Sequence, residues 1–275
     1  MKILNKNNTD FNIEKKRYNY KTVILSIGVA LCYILIPFIA SLLLANMEKS
    51  LEFQLFGNSI LLILSLLLPA LILNKILFKN SESILKFKKP IKEDIFTAWT
   101  GLALMVISQI ISAIINSVLQ PTPPDLPLPV EFKDYIFYAI NIAFIPAIIE
   151  ETVFRGVFYS VFKPFGKIFS ILAPAFLFSI MHANFSQIPN AFLCGVILGY
   201  IRIKTDSMLI PMVLHFLFNL SSVIAIGCMQ ISNTAIVIFY VIYYIFSLIG
   251  LSFLKRFLNI NNKQNNEIRD INNEL

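Results

Sequence analysis

Eight long apolar runs, parted by short polar or basic connections, leave this chain few ways to fold. They cover about residues 22–46, 55–78, 95–119, 134–162, 168–183, 188–203, 207–229 and 234–254. Runs of this kind read as membrane-spanning helices. The expected fold is therefore all-α: a polytopic membrane protein with a bundle of about eight transmembrane helices. A chain of 275 residues that is 57% hydrophobic and only 14% charged is too apolar for an ordinary soluble domain.

The charges that are present divide unevenly between the connections. All 23 Lys and Arg except Lys49 and Lys133 fall on the side of the N-terminus in this eight-span arrangement. The positive-inside rule then places both termini in the cytoplasm and the chain in the cell membrane as a multi-pass protein. Residues 1–21 form a basic cytoplasmic tail suited to anionic lipid, 22–256 the bundle, and 257–275 a polar C-terminal tail. The proline-rich stretch 121–129 reads as a stiff external loop. The net charge of +7 sets topology, and no nucleic-acid partner is expected. Cys32, Cys194 and Cys228 lie within apolar runs without metal-type spacing, and pack as small apolar residues. The first run is longer than a signal-peptide core and reads as a retained span.

The fourth run breaks the apolar pattern with Glu150, Glu151 and Arg155. A charged side chain at mid-span costs roughly 2.5–3.5 kcal/mol on insertion scales, so such groups face the bundle interior, pair with each other, or do chemistry. Glu151 and Arg155 are i, i+4 and share a face, whereas Glu150 points about 100° away. Glu151 is thus expected to neutralise Arg155 and to leave Glu150 facing a cavity. The chain's two histidines, His182 and His215, lie inside later apolar runs. Phe178 sits one turn before His182, and Asn219 one turn after His215. Helical rise places Glu150, His182, His215 and Asn219 in one layer, nearer the inner face than the outer.

Two chemistries suit Glu150, His182, His215 and Asn219 around a wet cavity. In one, Glu150 deprotonates water, His182 orients that water or protonates the leaving group, and His215 and Asn219 donate to the oxyanion. In the other, His182 and His215 ligate Zn²⁺, with a carboxylate as ligand or base and water at the open position. The sequence leaves both open.

The three motifs, Glu150-Glu151-x-x-x-Arg155, Phe178-x-x-x-His182 and His215-x-x-x-Asn219, occur in that order on the fourth, fifth and seventh runs. Together with the Gly195-x-x-x-Gly199-Tyr200 stretch of the sixth run, they resemble the CPBP family. That family takes in the type II CAAX prenyl endopeptidases and the Abi group of bacteriocin-processing and immunity proteins. The match covers about residues 140–222. The resemblance implies an intramembrane endopeptidase acting on a membrane-associated peptide or protein, of CAAX type or of bacteriocin- or leader-processing type. It also implies that Glu151 and Arg155 support the site rather than perform the chemistry, and that the enzyme is either a metalloprotease or a metal-independent glutamate protease. The alternative function is a non-enzymatic bacteriocin-immunity or membrane scaffold protein. An ion-coupled transporter ranks last, because the chain shows no pairing of broken spans in two halves.

Overall fold

A computed structural model describes residues 24–43, 50–77, 86–120 and 128–258. The basic tail at 1–21, most of the proline-rich loop and nearly all of the C-terminal tail lie outside these described residues. Within them the chain is helical, with no strand.

Six helices are long and apolar enough to cross a membrane: α1 (Ile24–Leu43), α2 (Leu51–Leu77), α3 (Lys92–Leu119), α4 (Phe132–Phe165), α7 (Leu209–Ile231) and α8 (Asn233–Leu258). Between α4 and α7 lie α5 (Phe169–Ile180) and α6 (Ile188–Thr205). Eight helices therefore follow the eight apolar runs, but α5 is shorter than the expected 168–183. Its 12 residues rise only about 18 Å, well short of a hydrocarbon core of about 30 Å. The helix stops because Asn184 accepts hydrogen bonds through Oδ1 from the Ser186 backbone N–H and hydroxyl, while Ala183 turns left-handed at φ 50°.

Helix starts follow the local sequence. The Ile91 N–H donates to Asp94 Oδ2 at 3.0 Å, which caps the start of α3. At the start of α4, the Val130 and Glu131 N–H groups both donate to Asp134 Oδ2 at 2.9 Å. α4 then runs unbroken through Glu150 and Glu151, as the continuing apolar sequence after them requires. Its backbone is not uniform. Two wide π-helical segments, Ala139–Phe144 and Thr152–Phe158, enclose the α-helical Ile145–Glu151. Such segments concentrate at functional sites. Pro146, which has no N–H to continue the ladder, stands at the first junction.

α4 and α7 form the middle of the bundle, with 44% and 50% of their most apolar stretches buried, whereas α1 and α8 lie outside at 11% each. α5 and α6 pack face to face through Gly195. A Cβ there would stand 2.9 Å from the Ala175 Cβ and 3.0 Å from its Cα, closer than real contacts allow. That small face lets the two backbones meet. Polar bonds tie other helices together: Ser59 Oγ donates to Asn141 Oδ1 at 2.7 Å between α2 and α4, and Thr100 Oγ1 to the Gly250 carbonyl at 2.8 Å between α3 and α8.

The basic connections meet at one end of the bundle. The Met208 N–H donates to the Lys86 carbonyl, Lys86 pairs with Asp206 at 3.6 Å, and the Lys204 ammonium donates to the carbonyls of Arg256 and Phe257. Three connections that the charge pattern assigned to one side are thus neighbours in space.

Candidate active site

The two adjacent glutamates of α4 have different surroundings. Glu151 is wholly buried, and its Oε1 accepts from Arg155 Nη1 at 2.9 Å and from His215 Nδ1 at 2.8 Å. Glu150, turned away by one helical step, keeps 14% of its side chain exposed and lines a cavity of about 650 Å³. The offset expected from helical geometry is therefore present. One carboxylate is consumed by structure and the other faces open space.

Arg155 is 2% exposed, so its charge needs full compensation inside the bundle. Besides Glu151, it donates through Nη2 to the Gly195 carbonyl at 3.2 Å, and its guanidinium carbon lies 4.8 Å from the centre of the Phe178 ring. The close α5–α6 contact is what brings that carbonyl and that ring to the same guanidinium.

The imidazoles are oriented by their own bonds. Because His215 Nδ1 faces a carboxylate, it is the donor, and Nε2 is left facing Glu150 Oε2 at 3.6 Å. That distance exceeds a hydrogen bond. His182 lies in the turn just past α5, where its Nδ1 meets the Phe178 carbonyl at 2.7 Å. Since a carbonyl only accepts, Nδ1 carries the hydrogen there, and in the neutral ring Nε2 holds the lone pair. Phe178 touches both rings edge-on, at centroid distances of 4.8 Å to His182 and 5.8 Å to His215. Expected only as a neighbour of His182, it proves to be the surface against which both imidazoles and Arg155 rest.

Asn219 donates through Nδ2 to the Ile142 carbonyl at 3.2 Å. That carbonyl lies four residues before Pro146, the proline that cannot supply the usual helical donor. One of the two amide hydrogens of Asn219 is thereby engaged and the other is not needed there. Five of the seven expected site residues, Glu150, Phe178, His182, His215 and Asn219, line the one cavity, and Glu151 and Arg155 stand behind it.

Residues 132–221 match the family model of the Rce1-like type II CAAX prenyl endopeptidases. The matched residues are about a third of the chain, and they support a CPBP-family protein. The chain is similar to the membrane-embedded CAAX protease MroQ of Staphylococcus aureus (strain USA300), 26% identical over 167 residues that cover 54% of this chain and 65% of the relative. The match thus spans less than two thirds of the relative's length. No solved structure matches the chain significantly.

Among the described residues, no three His, Cys, Asp or Glu side chains are grouped so as to hold a metal ion. The three-ligand set of a catalytic zinc is not assembled from Glu150, His182 and His215 as they stand. Sequence reasoning missed one wall of the cavity. Gln109, Ser112 and Asn116 of α3 line it, although the third run lies outside the residues that carry the family resemblance. Their i, i+3, i+7 spacing in an otherwise apolar helix was the available signal.

Proposed function

We propose that this chain is a CPBP-family intramembrane endopeptidase that hydrolyses a peptide bond of a membrane-associated protein or peptide through water activated by Glu150. One observation carries the reading: of two consecutive buried-span carboxylates, Glu151 is locked between Arg155 and His215, while Glu150 opens into the cavity beside His215 and Asn219. A carboxylate in that position has no structural duty that would keep it from accepting a proton.

Glu150 takes a proton from water as its oxygen attacks the scissile carbonyl carbon, and returns that proton to the nitrogen as the C–N bond breaks. His182 Nε2, an acceptor because Nδ1 is committed to the Phe178 carbonyl, holds the second hydrogen of the same water. The free amide hydrogen of Asn219, and His215 Nε2 when it carries a proton, donate to the oxygen that becomes negative in the tetrahedral intermediate. Glu151 stabilises that proton from the far side of the ring. The substrate is of CAAX type or of bacteriocin- or leader-processing type, and the basic end of the bundle faces the cytoplasm with both termini.

The test is turnover of a membrane-anchored peptide reporter. A Glu150→Ala variant that inserts and folds is expected to lose it, and full activity would overturn the assignment. If the chain were instead an immunity or scaffold protein, any protection it confers would survive Glu150→Ala combined with His182→Ala. Chelation supplies a second check. Turnover is expected to persist in excess chelator, and a loss restored by Zn²⁺ would contradict water activation by Glu150 alone.

A further inference from the structure

The cavity extends beyond Glu150, and its far wall carries polar atoms that no protein group satisfies. Gln109 Oε1, Ser112 Oγ and Asn116 Oδ1 are each buried and without a hydrogen-bond partner among the described residues. Ser112 is 4% exposed, so its hydroxyl is enclosed within the bundle. All three residues line the same cavity as Glu150 and His182. Asn116 is held from its other side, with Nδ2 donating to the Ser186 carbonyl at 2.8 Å. Four other buried polar atoms among the described residues also lack a partner, Asn74 Oδ1, Glu151 Oε2, the Tyr243 hydroxyl and Ser247 Oγ, but none of those residues lines the cavity. A buried polar group left without a partner is destabilising, which makes three on one face of one helix a feature that calls for an occupant.

We infer that this α3 strip binds the backbone of an extended, uncharged substrate segment and lays it across Glu150. The inference rests on the peptide-hydrolysing reading and names what the site holds. A polypeptide drawn out of its own helix inside a membrane has amide and carbonyl groups that lipid cannot satisfy. Amide and hydroxyl side chains are suited to them, since Gln and Asn each offer donor and acceptor and Ser offers both in one atom. The reach agrees. Gln109 to Asn116 rises about 10 Å along the helix, the length of roughly three residues of extended chain. The charge agrees too. Among the described residues, Glu150, His182 and His215 are the only acidic or basic side chains that line the cavity, so a charged substrate residue meets no counter-ion from the strip.

Binding separates this inference from catalysis. The Glu150→Gln protein in lipid nanodiscs is incubated with a pool of eight-residue peptides of uncharged residues with blocked ends, and with the same pool methylated at every backbone nitrogen. Retained peptide is measured by mass spectrometry. The unmethylated pool is expected to be retained at least about tenfold better than the methylated one, the effect of a few lost hydrogen bonds. Gln109→Leu combined with Ser112→Ala should lower its retention by a similar factor. The same pair should leave the melting temperature unchanged or raise it, because it removes unpaired buried atoms rather than contacts. A merely structural strip gives the opposite pattern, with lower stability and unaltered retention. Equal retention of the two pools, no retention of either, or retention unaffected by the double variant each overturns the inference. Cleavage that persists in Glu150→Ala overturns water activation by Glu150 instead, and leaves the binding result standing.

Discussion

At the scale of single residues, the most exacting pair is Glu151 and Arg155. Breaking one side of a buried ion pair costs on the order of 3–5 kcal/mol, so Arg155→Ala should lower folded yield and activity together. Removing Glu151 as well should recover part of the yield, because it removes the stranded carboxylate. Activity should not recover, since Glu151 also fixes His215 through Nδ1 at 2.8 Å. Recovered turnover in the double variant, measured beside yield, would mean that the His215 bond is dispensable. The ion pair was legible in the sequence because i, i+4 neighbours on a helix meet wherever the helix goes. The His215 bond was not, as its partners are 64 residues apart and only packing of α4 against α7 joins them. The same reason hid the role of Phe178, whose partners beyond His182 come from α4 and α7.

At the scale of elements, the site depends on how closely α5 and α6 approach. Gly195→Ala would place a methyl group 2.9 Å from the Ala175 Cβ, and the helices must part to admit it. Overpacking of this kind costs about 1–3 kcal/mol. It also moves the Gly195 carbonyl away from Arg155, so turnover should fall in the same variant. A melting temperature and turnover both equal to the parent's would show that the contact is slack. The spacing of Gly195 and Gly199 announced this face in the sequence. The π-helical segments on either side of Glu150 had no such signal, since an i→i+5 ladder arises from packing demands rather than residue preference. The early end of α5 was written in Asn184 and Ser186, but short turn chemistry is easily overridden by an apolar run that continues past it.

At the scale of the whole molecule, hydropathy marked the helices but not their places. The central α4 and α7 have mean hydropathies of 1.6 and 2.0, and the peripheral α1 and α8 both reach 2.3. The less apolar helices sit inside because they carry the polar groups that lipid would not tolerate. Photolabelling from a lipid-borne diazirine should therefore mark α1 and α8 heavily and spare the cavity-lining faces of α4 and α7. Strong labelling around His215 would contradict this arrangement. The basic connections were legible as one side of the molecule, because charge asymmetry survives whatever the packing.

The division between the two glutamates is the centre of the account, and paired substitutions test it most directly. Glu150→Gln and Glu151→Gln are compared for reporter turnover and melting temperature under identical conditions. Glu150→Gln should keep the parental melting temperature and lose turnover by about 10²- to 10⁴-fold, the usual span for a general base. Glu151→Gln should lose both, because it uncouples Arg155 and His215. Parental turnover in Glu150→Gln, with loss of turnover and unchanged stability in Glu151→Gln, would reverse the roles and contradict the account.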